Sequence, residues 1–232
     1  MLTCGNSDVE GLMINNGKQG SMVMTDLYEV HEIAADDWPE AILLIKQASG
    51  NSVLCWLGHR FVSIFYRSLC ELDYCCAYGA YDKSGKLAGI IIGTLDQSRA
   101  YRQVVRENWF KLILAANIRV MRWSVINWFL SGLHQRLTSD KRPSKTKTET
   151  VRARLIVISV LPEVQGRNVA KKLVEKMESW FVQKNIGGPY VIYTEQSNHR
   201  ANGFYKKIGA SLEGSNCHHG RLINQWYKVP LL

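Results

Sequence analysis

The sequence predicts an α/β (α+β) domain, a sandwich of helices around one mixed sheet. Three observations carry that prediction. Short apolar runs rich in β-branched residues alternate with stretches of helical periodicity. Turn residues sit between them, as in Asp82-Lys83-Ser84-Gly85-Lys86, which reads as a hairpin turn. A chain of 232 residues, 46% of them hydrophobic, is long enough for one full core and too apolar for a disordered polymer.

Taken in order, residues 1–25 are small, polar and Gly-rich, and read as a flexible leader without the basic-then-apolar pattern of a targeting peptide. One domain is expected over 26–232, with an insertion over 96–150. Its first strand is predicted at 27–33, followed by a helix from about Asp37, with Asp36 or Asp37 as cap and Pro39 in the first turn. Phe61, Ile64, Phe65 and Leu69 recur at helix spacing within 60–72. Strands at 74–81 and 87–95 flank the hairpin turn. After the insertion come a strand at 155–160, a helix from about Gly166, a strand at 190–195, a helix from His199 and a last hairpin ending at 226–229.

Six cysteines form no Cys-x-x-Cys pair, so reduced, partly buried thiols in a cytoplasmic protein are the expectation. Cys75 and Cys76 are adjacent in a strand and point to opposite faces. Cys217, His218 and His219 are consecutive and cannot easily converge on one tetrahedral ion, so no metal is expected.

The most informative stretch is LIVISVLPEVQGRNVA, residues 155–170. A strand feeds a glycine-containing turn that opens a helix, and a helix N-terminus offers free N–H groups and a positive dipole end to phosphate. No Lys-Ser or Lys-Thr follows the glycine, which excludes a phosphate-binding ATPase loop. Three spaced glycines are also missing, which excludes a dinucleotide fold. The segment Gln165, Gly166, Arg167, Asn168, Val169, Ala170 instead resembles the pyrophosphate loop of the GCN5-related N-acetyltransferase (GNAT) superfamily. Asn168 stands where that family usually has Gly; Asn tolerates a left-handed backbone better than most residues. A second segment, with Asn198, Ala201, Phe204, Tyr205 and Gly209, resembles the family's late motif, about 28 residues beyond Ala170. Ala201, Phe204 and Ile208 share a helix face and Gly209 reads as its C-cap.

The resemblance covers roughly 26–95 and 151–232. It implies a mostly antiparallel central sheet with a helical insertion between the third and fourth strands. It also implies acetyl-CoA as co-substrate and transfer of its acetyl group to a small primary amine. Ile158 and Val160 are then the expected pantetheine contacts. Residues Gln165, Gly166, Arg167, Asn168, Val169, Ala170 and Lys171 would hold the pyrophosphate, and Asn198 would lie beside the pantetheine. Tyr205 matches the general acid that protonates the CoA thiolate, a phenol of pKa ~10 donating to a thiolate of ~8.5. Glu195 is the candidate base, with Glu163 and His199 as alternatives. A non-catalytic acyl-CoA-binding or membrane-associated module is the alternative function.

The insertion carries the charge. Residues 99–154 hold 13 Lys or Arg and three acidic residues, so essentially all of the net +9 lies there. Its apolar part, 108–137, contains Trp109, Phe110, Trp123, Trp128 and Phe129, and reads as a helix with Asn108, Lys111, Arg119, Arg122 and Arg136 on one stripe. Those cations argue against a membrane span. Packing on the sheet or in a homodimer, and peripheral contact with anionic lipid, both stay open. No nucleic-acid module is present, so no nucleic-acid partner is expected. The pattern Leu57-Gly58, Phe61, Phe65-Tyr66 before the insertion resembles a bacterial subgroup linked to surface-polysaccharide synthesis. An amino-sugar acceptor carrying phosphate would suit such an insertion.

Overall fold

The computed structural model describes residues 27–48, 57–116, 151–218 and 220–230. Seven strands form one sheet in the order β1-β2-β3-β4-β5-β7-β6: β1 (Tyr28–Glu32), β2 (Cys75–Asp82), β3 (Leu87–Thr94), β4 (Arg154–Val160), β5 (Tyr190–Glu195), β6 (Ser211–His218) and β7 (Arg221–Lys228). Every neighbouring pair is antiparallel except β4 and β5. The predicted mixed, mostly antiparallel sheet is therefore observed. The parallel step needs a crossover, and α4 (Val169–Gln183) supplies it.

Helices cover both faces. α1 (Trp38–Ala48), α2 (His59–Cys70) and α3 (Gln97–Ala115) pack on one face, where Ile42, Ile45, Leu69, Ile90, Ile92 and Val157 form a core. On the other face lie α4 and α5 (His199–Lys207), above a second core of Tyr78, Ile91, Leu155, Leu173, Met177, Phe181, Ile192 and Trp226. β3 is buried along its whole length because both faces are covered. Cys75 belongs to the first core and Cys76 to the second, as strand alternation requires. Gly93 lets α4 sit low on the sheet: a Cβ there would lie 2.7 Å from the Met177 sulfur.

Two expectations need correction. The first helix does not use Asp36 or Asp37 as its cap; both lie in a short 3-10 turn, Ala35–Asp37, and Asp37 accepts a hydrogen bond from the Tyr81 hydroxyl at 2.7 Å. The insertion helix starts earlier than Asn108. Asp96 caps it by accepting from the Arg99 N–H at 2.9 Å, and Ala100, Val104 and Leu112 are buried. Asn108 is a break within it, with φ −119° and ψ 15°, and the helix ends at Ala115. Trp109, Phe110, Ile113 and Leu114 are exposed. Arg119, Arg122, Trp123, Trp128, Phe129 and Arg136 lie outside the described residues, as do the expected leader and His219. No described helix is long and apolar enough to cross a membrane.

Candidate functional site

β4 and β5 hydrogen-bond only at their start, through the pairs Arg154↔Val191 and Leu155↔Ile192. Beyond Leu155 they separate. A bulge helps: the register of β4 on β3 jumps from Gly93↔Leu155 to Ile92↔Val157, leaving Ile156 as the extra residue. The separation opens a cleft of about 1130 Å³. β4 lines it with Ile156, Val157, Ile158, Ser159 and Val160, and β5 with Tyr193, Thr194 and Glu195. α5 adds Asn198, Ala201, Phe204, Tyr205 and Ile208; the end of α1 adds Gln47 and Ala48. Its walls therefore come from both faces of the sheet.

The loop after β4 closes one end. Pro162–Val164 form a 3-10 turn, and the Gln165 amide donates back to the Val160 carbonyl at 3.0 Å, holding the loop against the strand. Gln165 Oε1 is buried and lacks a hydrogen-bond partner among the described residues. Gly166 has φ 84° and Asn168 φ 61°, so two left-handed residues turn the chain into α4. Asn168 adopts the backbone the family's glycine would supply. The helix begins at Val169, later than the expected Gly166.

Asn168 makes no side-chain cap, and the first helical bond runs from the Lys172 N–H to the Asn168 carbonyl at 3.0 Å. The N–H groups of Val169, Ala170 and Lys171 precede that bond and have no acceptor among the described residues. They face an apolar-walled cleft at the positive end of a helix, which is a site for an anion. Gln165, Gly166, Asn168, Val169, Ala170 and Lys171 line the cleft. Arg167 is placed differently: its N–H is spent on the Val164 carbonyl at 3.3 Å, and its exposed side chain is not part of the lining.

α5 forms the opposite wall. Asn198 caps it by accepting from the Ala201 N–H at 3.1 Å, and Gly209, with φ 84°, ends it while the Ala210 N–H donates to the Tyr205 carbonyl at 3.0 Å. Tyr205 is 5% exposed and packs against Phe204 and Trp226. Burial pushes its phenol pKa up, and its hydroxyl has no hydrogen-bond partner among the described residues. Glu195 Oε1 accepts from Arg221 Nη1 at 2.6 Å, forming a half-exposed ion pair on the cleft wall. Glu163 and His199 are exposed and do not line the cleft.

One residue that sequence reasoning missed organises this wall. Asn202 donates to the carbonyls of Glu195, Gln196 and Asn198 at 3.0, 3.1 and 2.9 Å. Its Oδ1 accepts from Asn224 Nδ2 at 3.0 Å and Trp226 Nε1 at 3.2 Å. It ties the end of β5, the start of α5 and the middle of β7 into one unit. The available signal was its place one turn after the Asn198 cap, on the same side of the helix.

Residues 133–210, which contain the loop, α4, β5 and α5, match the family described as the acetyltransferase (GNAT) family. The match spans about a third of the chain and covers most of the part that builds the cleft. Solved structures share its fold. The ribosomal-protein-S18-alanine N-acetyltransferase from Escherichia coli is 11% identical, with TM-score 0.53 over 88% of this chain and 95% of that one. An acetyltransferase of the GNAT family from Streptococcus pneumoniae is 17% identical, with TM-score 0.52 over 87% and 98%. A spermidine/spermine N-acetyltransferase from Vibrio cholerae is 13% identical, with TM-score 0.51 over 89% and 95%. At these identities the likeness establishes the fold. No curated protein matches the sequence. Acetyltransferases of that family take acetyl-CoA as co-substrate. The chain fits that molecule: free N–H groups stand at one end of the cleft, and a strand released from its parallel partner runs along it.

Proposed function

We propose that this domain transfers the acetyl group of acetyl-CoA to the primary amine of a small acceptor, amino sugars being the first class to assay. The observation that carries the reading is one continuous cleft. It joins the free N–H groups at the start of α4 to the unpartnered phenol of Tyr205 along the released edge of β4. In this reading the N–H groups of residues 168–171 hold the pyrophosphate, with Lys171 adding charge. Ile158 and Val160 offer backbone groups to the pantetheine, and Asn198 flanks it. The amine nitrogen attacks the thioester carbonyl carbon, the C–N bond forms and the C–S bond breaks. The electron pair leaves on sulfur, and Tyr205 Oη supplies the proton. That phenol is protonated at neutral pH, and burial makes it a weaker acid than a free tyrosine. Glu195, paired with Arg221 at 2.6 Å, takes up the amine proton through water.

Tyr205→Phe tests this. Turnover, read as CoA release, is expected to fall by about 10²–10⁴-fold while calorimetric acetyl-CoA affinity stays at the wild-type value. Unchanged turnover would remove Tyr205 from the role of acid. A wild-type protein that binds acetyl-CoA and acetylates no amine would favour a non-catalytic binding module.

A second observation supports peripheral contact with an anionic bilayer. Trp109, Phe110, Ile113 and Leu114 are exposed on the helix that also carries Arg102, Arg106 and Lys111. Trp109→Ser/Phe110→Ser is expected to abolish co-sedimentation with phosphatidylglycerol vesicles. A wild-type protein that ignores these vesicles and elutes as a dimer would assign the patch to a second copy of the chain.

A further inference from the structure

The donor end of the cleft lies on the face covered by α4 and α5. Leu155, Tyr190 and Ile192 point into the core beneath those helices, so alternation places Arg154, Tyr193 and Glu195 on the opposite face. There Tyr193 and Gln47 line the cleft, on the side that the proposed reaction leaves for the second substrate. The charges on this side are unequal. Glu195 is neutralised by Arg221. Arg152 is paired with Asp96 at 3.6 Å. Arg154 has no carboxylate within ion-pair distance among the described residues.

Arg154 is nevertheless held in one orientation. Its guanidinium lies 4.6 Å over the Tyr193 ring, Nη2 donates to the Tyr193 hydroxyl at 3.2 Å, and Nη1 donates to Gln97 Oε1. Both partners are neutral. A half-buried cation is costly to leave uncompensated, and a planar guanidinium suits a carboxylate or phosphate through paired hydrogen bonds. Arg154 is not itself a lining residue; it borders the cleft through Tyr193, its stacking partner, which is part of the wall.

We infer that Arg154 is the anchor for an anionic group, a phosphate or carboxylate, carried by the amine acceptor. This rests on the proposed acetyl transfer and adds the acceptor's charge. The Glu195–Arg221 pair contributes no net charge, so Arg154 leaves the acceptor side positive. It favours anionic amines and disfavours polyamines.

The experiment compares matched amines at saturating acetyl-CoA: glucosamine 6-phosphate against glucosamine, O-phosphoethanolamine against ethanolamine, glycine against methylamine, and spermidine alone. Wild type is expected to prefer the anionic member of at least one pair by about 10- to 100-fold in kcat/KM. Arg154→Met should collapse that ratio toward one through KM, with kcat changing little. Arg154→Lys should restore only part of it, because Lys keeps the charge and loses the planar fork. Gln97→Ala, which only frees the guanidinium, should give an intermediate ratio and covers the case in which Arg154→Met does not fold. Equal use of both members, a preference for spermidine, or a ratio that survives in Arg154→Met or Gln97→Ala would overturn the inference. Acetyl-CoA binding without acetylation of any anionic amine would also overturn it and leave the donor half standing. Failure to bind acetyl-CoA at all would instead overturn the proposed function.

Discussion

The two faces of the sheet are built on the same strands and held in different ways. Beneath α4 and α5 the core contains buried polar locks. Glu178 and Lys228, 1% and 5% exposed, pair at 2.6 Å, and the Tyr190 hydroxyl donates to Glu178 at 2.7 Å. Asn202 adds its five hydrogen bonds above β5 and β7. Beneath α1, α2 and α3 the cluster is almost wholly apolar, and the polar contacts, Tyr81 to Asp37 and Arg154 to Gln97, sit at its rim. Buried polar groups demand fixed geometry, because each unmade bond is costly. Apolar packing tolerates small shifts. The donor side is therefore the rigid half and the acceptor side the adjustable one.

The largest challenge to that contrast is Lys228→Met. It strips Glu178 of its buried cation and is expected to cost about 3–5 kcal/mol in denaturant unfolding; a loss below about 1 kcal/mol would show that the lock is dispensable. Asn202→Ala should cost about 1–3 kcal/mol by orphaning several of its partners, and it should lower kcat as well, since α5 carries Tyr205. If its stability falls and its kcat does not, the donor wall is less rigid than argued. The smallest effect concerns Cys75, at the apolar face. Burial pushes its thiol from the ordinary 9.0 up to about 11. The folded state thus favours the neutral thiol, a stabilisation present in full below pH 9 and lost as pH rises through about 11. Thermal melts from pH 7 to 11 should show the alkaline decline shallower in Cys75→Ala than in wild type.

Legibility followed the same division. The donor side is specified by backbone conformation, which leaves local marks: a β-branched run, a Pro, a Gly, an Asn able to adopt φ 61°, and an Asn cap with Gly209 closing the helix. Such marks sit within a few residues of one another and survive reading as text. The acceptor side is assembled from distant segments, Gln97, Arg154 and Tyr193, and no local pattern joins them. Arg154 looked like one more cation in a basic stretch. The insertion helix was misplaced for a related reason. Its first half exposes so many polar residues that Ala100 and Val104, the two of that half that face the core, make no helical pattern of their own, while the apolar run from Trp109 onward draws the boundary. Hydrophobicity marks burial only on average, and here the more apolar half is the exposed one.

The cleft draws one wall from each side of the sheet, and that has a consequence for traffic. In the proposed reaction donor and acceptor enter from opposite faces of the sheet, so neither has to wait for the other to enter or leave. Direct attack of the amine on the thioester, as proposed, needs both substrates aboard together, and initial-rate plots at several fixed acceptor concentrations should then give intersecting rather than parallel lines.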